Sequence, residues 1–271
     1  MATSLFRSRG GWGNVLAVSL LITLSLSTAY AQENKTAPQL KTASTHAMQY
    51  YVALPEGWTS QKRWPVVVVI ESANRQFLQT ITTFVQARKQ APFILVAPLV
   101  VTNGGSRYRE APTYHYADAV WNRIESEGPF KFDSDGLAAV IKDVHTLYSG
   151  EEKYFLTGWE AGGHTLWALL FTHPETVRAA ALVCPNYAGR WFEEAHISPA
   201  PERTALSIRG FQGADDTFAS PGHPLFTQWE DAKSMAQKHR YRNVTLERVV
   251  GKGHEPLAAE VLAYFATLLK S

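Results

Sequence analysis

Lys153-Tyr154-Phe155-Leu156-Thr157-Gly158-Trp159-Glu160-Ala161-Gly162-Gly163-His164 runs from a short apolar segment through a small-residue turn into an apolar helical pattern that Pro174 stops. Residues 153–158 read as a buried strand and 161–172 as the helix behind it. Between them, Gly158-Trp159-Glu160-Ala161-Gly162 has the spacing of a tight strand-to-helix turn. Its glycines let strand and helix approach, and its central residue is held at the helix amino terminus. That central residue is Glu160.

Reading outward, the same alternation fills the chain. Residues 48–54 form a strand that ends at Pro55-Glu56-Gly57. The unbroken β-branched run at 65–70 suits the middle of a parallel sheet, where both faces are covered. A helix over 74–90 and a buried strand over 93–98 follow. Leu137, Val140, Ile141, Val144 and Leu147 recur at helical spacing after Asp133-Ser134-Asp135, read as a start signal. Further strands are expected at 179–183, 204–208 and 244–250, with a helix over 225–241. A last helix carries Leu257, Val261, Leu262, Phe265 and Leu268 on one face. Strands alternating with helices of this length imply right-handed crossovers, hence an α/β fold with a mostly parallel central sheet and helices on both faces. It occupies 46–271 as one domain, without internal repeat or linker.

Two further features fall where such a turn needs partners. His254, in Gly251-Lys252-Gly253-His254-Glu255-Pro256, follows a strand and precedes the last helix. Asp215 and Asp216 follow the strand at 204–208, and either could be the acid. The order elbow residue, acid, histidine is that of the Ser…Asp…His triad. On these residues the chain resembles the α/β-hydrolase family, particularly secreted esterases of the polyhydroxyalkanoate-depolymerase and feruloyl-esterase type, with glutamate replacing serine. The resemblance covers roughly 46–270. It implies that His254 is the general base, that Asp215 or Asp216 orients it, and that the Ala161 N–H is one oxyanion donor. A residue after the strand at 65–70 would be the other donor, and Ser72 stands there. Glu71-Ser72 occupies the place where many such proteins have His-Gly.

The substitution at 160 changes the chemistry. A serine hydroxyl attacks an ester because histidine takes its proton, and water cleaves the resulting acyl-enzyme. A carboxylate attacking the same carbon would give an acid anhydride, a far less favourable intermediate. It can instead attack saturated carbon, displacing halide or opening an epoxide. The resembling dehalogenases and epoxide hydrolases place Asp there, however, and one extra methylene displaces the carboxyl by about a C–C bond, which can cost about 100-fold in rate. The leading expectation is a disabled or strongly altered site: Glu160 at a helix amino terminus, ion-paired with an imidazolium at His254, in a pocket that binds a ligand without turnover.

Other candidates are weaker. Trp159, Tyr114 and Trp191 are expected to line the crevice, and Tyr108, His115, Tyr116, Trp121, Phe130 and Phe132 lie in the same aromatic stretch. The ligand would be a small molecule or a polysaccharide-linked ester. Glu160 and His164 have a helical spacing used by zinc ligands, but the small-residue turn explains them without metal, so neither metal nor cofactor is expected. Cys184, the only cysteine, excludes an internal disulfide and is expected to be structural.

Composition sets the outer limits. With 271 residues, 45% hydrophobic and 18% charged, the chain is globular. Arg7 and Arg9 precede an apolar run over 15–26, and Ala29-Tyr30-Ala31 follows: a secretory signal peptide over 1–31, too short to span a membrane. The polar residues 32–45 read as a disordered leader. Removing Arg7 and Arg9 from the 26 basic residues leaves 24, equal to the 24 acidic ones. Such a balance gives no reason to expect nucleic acid or membrane as a partner, and the compartment would be the periplasm or the exterior.

Overall fold

The β-branched run Val66–Ile70 is buried at every position, as a strand covered on both faces must be. The computed structural model describes residues 36–104 and 108–270. Eight strands form one sheet: β1 (Gln39–Thr42), β2 (Gln49–Ala53), β3 (Val66–Ile70), β4 (Ile94–Pro98), β5 (Tyr154–Trp159), β6 (Val177–Val183), β7 (Ser207–Gly213) and β8 (Asn243–Val249). Their order is β1-β2-β4-β3-β5-β6-β7-β8. The β1–β2 and β2–β4 pairs are antiparallel, and every pair from β4 through β3 to β8 is parallel.

The helices are α1 (Phe77–Arg88), α2 (Asp118–Glu127), α3 (Pro129–Tyr148), α4 (Gly162–Thr172), α5 (Pro224–Lys238) and α6 (Ala258–Thr267). Alternation along β3 divides the core in two. Val66, Val68 and Ile70 pack with Val140 of α3, Leu166 of α4 and Trp229 of α5. Val67 and Val69 pack with Ile81 and Phe84 of α1 and Val261 and Phe265 of α6. Each such side chain contributes about 1.5–3 kcal/mol by leaving water. The expected fold class is therefore observed, and in sheets of this kind ligands bind outside the carboxyl ends of the parallel strands.

Four local expectations are corrected. Within the expected leader, residues 39–42 form the edge strand β1. Its register, Gln39 to Val52 through Thr42 to Gln49, is held by backbone pairing, which polar side chains on an edge strand do not reveal. Ser44 then donates its N–H and hydroxyl to Asp143 Oδ2 at 2.7 and 3.0 Å. Residues 201–204 are a short 3-10 turn, and β7 runs to Gly213, five residues beyond the expected end. Asp118–Glu127, within the aromatic stretch for which no element was expected, is a helix. Finally, α3 begins at Pro129, so Asp133 is inside the helix and not its start. The signal-peptide reading falls on residues 1–31, outside the described residues.

Asp133 is buried and accepts from the N–H groups of Val101 and Thr102 at 2.9 and 2.8 Å and from the Thr102 hydroxyl at 2.6 Å. It thereby pins the segment after β4. Burial outweighs these donors and pushes its carboxyl up to about 7. The folded state thus holds the proton more tightly than the unfolded chain, so this group's contribution to stability falls as pH rises from about 4 to about 7. Asp133→Asn does not titrate. Its stability relative to the unaltered protein is expected to rise by about 2 kcal/mol between pH 5 and 8, read from urea midpoints; a constant difference would refute the assignment.

Candidate active site

Three glycines bring β5, α4 and the neighbouring loops into contact. A Cβ on Gly158 would collide with the Ile70 carbonyl of β3. One on Gly162 would lie 2.7 Å from the Glu71 carbonyl oxygen, and one on Gly163 2.6 Å from that of Asn186. Between them Glu160 has φ 49°, the left-handed conformation that a non-glycine residue adopts only where its surroundings impose it. Those surroundings are explicit. The Glu160 N–H donates to Val183 O at 3.0 Å, while its carbonyl accepts from Gly163 N and Asn186 N, each at 2.9 Å. The turn read from glycine spacing is therefore a strained elbow whose central residue is an acid.

The acid–histidine pair expected from the sequence is formed, and it selects Asp216. Its Oδ2 accepts from His254 Nδ1 at 2.8 Å, and its Oδ1 accepts from the Phe218 N–H at 2.9 Å. Asp215 is exposed, and its N–H donates to Lys252 O at 2.9 Å. The loops meet because β7 ends at Gly213, where a Cβ would collide with the carbonyls of Lys252 and Gly253, immediately before His254. Burial alone would raise the Asp216 pKa, but the bonds from His254 and Cys184 and the attraction of a charged imidazole hold it below the usual carboxylate range. A carboxylate oxygen can only accept, so Nδ1 is the nitrogen that carries a proton toward Asp216, and in the neutral ring the lone pair is on Nε2. Among the described residues no group hydrogen-bonds Nε2.

Glu160 departs from expectation. Its half-buried carboxylate makes no ion pair or hydrogen bond among the described residues, and the expected Glu160–His254 ion pair is not formed. Nor does an ion pair join Glu160 to His164, which is buried; desolvation, with Arg190 nearby, pushes the His164 imidazole down to about 4. Ala161 opens α4, and among the described residues its N–H has no protein acceptor, as an oxyanion donor requires. Ser72 is fully buried; its hydroxyl donates to Glu71 Oε1 at 3.2 Å and its carbonyl accepts from Asn103 Nδ2 at 2.8 Å. Glu71 also caps the approach to α1 through the Gln76 N–H at 3.3 Å. Burial raises its pKa, against hydrogen bonds from Thr80, Gln76 and Ser72.

The aromatic candidates separate. Trp159 is half-buried, with its ring centroid 5.1 Å from that of His254. Trp191, also half-buried, donates its indole N–H to Thr102 O at 3.1 Å. Tyr114 is corrected from crevice wall to packing residue. It is buried, donates to Val100 O at 2.6 Å, and meets Tyr116, Trp121 and Phe77 with centroids 5.9, 5.7 and 5.7 Å away. Sequence reasoning missed Phe218, which is 55% exposed with its ring 5.4 Å from His254. Nothing in the sequence signals it. Cys184, expected to be structural, is buried, and its thiol donates to Asp216 Oδ2 at 3.2 Å, a contact the sequence does not reveal.

No protein-family model matches the chain, and no curated protein does. Solved structures do. Poly(aspartic acid) hydrolase-1 from Sphingomonas sp. KT-1 is similar at TM-score 0.59 and 13% identity, over 87% of this chain and 98% of that one. A poly(3-hydroxybutyrate) depolymerase from Bordetella parapertussis gives 0.56 and 16%, over 88% and 92%. A thermostable esterase gives 0.53 and 14%, over 89% of this chain and 63% of that longer one. At these identities the likeness concerns architecture, and the chain has the α/β-hydrolase fold.

Removing the two aspartates should have unequal effects. Asp216→Ala leaves the Phe218 N–H, the buried Cys184 thiol and His254 Nδ1 without their acceptor, and is expected to cost about 2–4 kcal/mol. Asp215→Ala should stay within about 0.5 kcal/mol. Because the Asp216 pKa is depressed on folding, its contribution is present at neutral pH and is lost as pH falls below the ordinary carboxylate range. Equal urea midpoints for the two variants would contradict this assignment.

Proposed function

We propose that this chain is an exported α/β-hydrolase-fold protein that holds a small-molecule or polysaccharide-linked ester without ordinary serine-esterase turnover. The observation that carries the reading is a mismatch at one site: the Asp216–His254 pair has the geometry and tautomer of a general base, while the elbow residue it would serve is Glu160. An imidazole base needs an O–H or S–H to deprotonate, and a carboxylate has none at neutral pH. Among the described residues no serine, threonine or cysteine takes that place on Nε2. Cys184 lies on the other side of the pair, bonded to the Asp216 carboxylate. Trp159 and Phe218 flank the imidazole and form the apolar part of the ligand site.

Export follows from the basic residues, apolar run and Ala29-Tyr30-Ala31 of the amino terminus. Among the described residues no helix is long and apolar enough to cross a membrane.

A second reading is favoured by the unpaired state of Glu160. With no hydrogen-bond donor or cation of the described residues occupying its oxygens, the carboxylate is available to attack saturated carbon, and a neutral His254 would offer at Nε2 the lone pair needed to activate water on the resulting ester. The longer side chain weighs against this reading.

Two measurements separate these. The purified protein is expected to leave p-nitrophenyl acetate, p-nitrophenyl butyrate and methyl ferulate unhydrolysed above background, and Glu160→Ser to gain slow hydrolysis. Rapid turnover by the unaltered protein that vanishes in His254→Ala would overturn the first reading. For the second, His254→Ala incubated with an aryl epoxide or a haloalkane should accumulate a covalent adduct on Glu160, visible by peptide mass spectrometry. Failure to trap one with either class would eliminate it.

A further inference from the structure

Asp216 Oδ2 receives two donors at once, His254 Nδ1 at 2.8 Å and Cys184 Sγ at 3.2 Å. The ligating atoms of the three side chains all lie within 4.8 Å of one another. They reach that point from three segments at one end of the sheet: Cys184 follows β6, Asp216 follows β7 and His254 follows β8. Each is fixed by backbone. Cys184 sits at φ 42° with its N–H on Phe211 O at 2.9 Å, and Asp216 is held by its N–H on Gly213 O at 3.2 Å. His254 is set by the close approach of Gly213 to Lys252 and Gly253.

A hydrolytic dyad needs only the Asp–His contact; the sulfur is additional. One sulfur, one imidazole nitrogen and one carboxylate oxygen are the donor set that zinc prefers, and three protein ligands with a fourth position left to solvent is an arrangement zinc adopts. We propose that Cys184, Asp216 and His254 together bind one divalent cation of the zinc class, which takes the place of the two protons now directed at Asp216 Oδ2.

The exchange balances. The cation forms bonds to sulfur, nitrogen and oxygen; the thiol proton leaves to solvent, and the imidazole loses its Nδ1 proton and takes one up at Nε2. The net change is one proton released. With the imidazole neutral, the buried cluster carries one negative charge before binding and none after, which removes the cost of an uncompensated charge. Entry is from the His254 side, whose side chain is 27% exposed while that of Asp216 is fully covered. Occupancy would withdraw both members of the dyad from proton transfer. The proposal stands on these three side chains and is independent of whether any ester is hydrolysed.

Cobalt(II) provides the test, because Cys184 is the only cysteine and a thiolate-to-cobalt charge-transfer band can arise from no other residue of the chain. Titration of the untagged, reduced protein with Co²⁺ at pH 7.5 is expected to give that near-ultraviolet band at one equivalent, with visible bands of four-coordinate intensity. Zn²⁺ should displace it. Cys184→Ser should abolish the band and weaken Zn²⁺ binding by calorimetry at least 100-fold, and His254→Ala should weaken it comparably. Asp215→Ala should leave both unchanged, and circular dichroism checks that each variant is folded. No charge-transfer band at several equivalents of Co²⁺, or Zn²⁺ affinity unaltered in a folded Cys184→Ser, would overturn the proposal. Surface histidines can bind either ion, but without the band.

Discussion

The left-handed backbone at Glu160 is the constraint on which the rest of the crevice depends. A non-glycine residue in that conformation costs about 1 kcal/mol or more, and it persists only if neighbouring structure enforces it. Here the enforcement comes from both directions along the sheet. The β6 end supplies Val183 O and the Asn186 N–H to the Glu160 peptide groups, and the β3 end presses the Ile70 and Glu71 carbonyls against Gly158 and Gly162. A methyl group at either glycine would force β3 and α4 apart. Relaxing the turn by a register shift would reverse the faces of β5, whose residues are buried on both sides of the sheet. The elbow is therefore a property of the packed strands, and residue 160 is free to vary chemically without altering where its backbone stands.

Four acids surround this region, and the balance of donors against burial treats each differently. Asp133 and Asp216 are both buried and both accept several hydrogen bonds. Asp133 receives only neutral donors, desolvation prevails, and its carboxyl rises to about 7. For Asp216 burial is again the largest single influence, but the bonds from His254, Cys184 and the Phe218 N–H, together with the attraction of the charged imidazole, outweigh it and hold the carboxyl below its usual range. Glu71 has an oxygen, Oε2, for which no partner is found among the described residues, and burial raises its pKa in the same sense as Asp133. Glu160 is half-buried and accepts no hydrogen bond from the described residues. The bond to the imidazole thus distinguishes Asp216 from Asp133 in a way that hydrogen-bond number alone does not.

Most of the architecture was legible because it is written in periodicities. The β-branched run at Val66–Ile70, the glycine spacing around Glu160 and the position of His254 ahead of the last helix each follow from a local rule with a steric cause. The failures have causes too. β1 is held by main-chain pairing with β2, which leaves no trace in polar side chains such as Gln39 and Lys41. Asp133 looked like a helix cap because a sequence does not distinguish an acid that caps its own helix from one that reaches across to Val101 and Thr102. The choice between Asp215 and Asp216 turned on which of two adjacent side chains faces inward, a matter of loop geometry. Tyr114 was ambiguous for the same reason: an aromatic loop residue can face a ligand or the core, and the hydroxyl on Val100 O places it in the core.

The Asp216–His254 pair and the elbow are positioned by different contacts, and this separation governs how the site is read. His254 arrives through the approach of Gly213 to Lys252 and Gly253 and through the bond to Asp216, none of which involves residue 160. A dyad built this way keeps its geometry whatever stands at the elbow, so its presence measures the integrity of β7 and β8 and not the capacity to cleave an ester. The identity of the attacking atom then carries the chemistry alone. A hydroxyl there would make use of the Nε2 lone pair directly. A carboxylate cannot, and the imidazole is left either to activate water at a later step or to serve as one ligand among three.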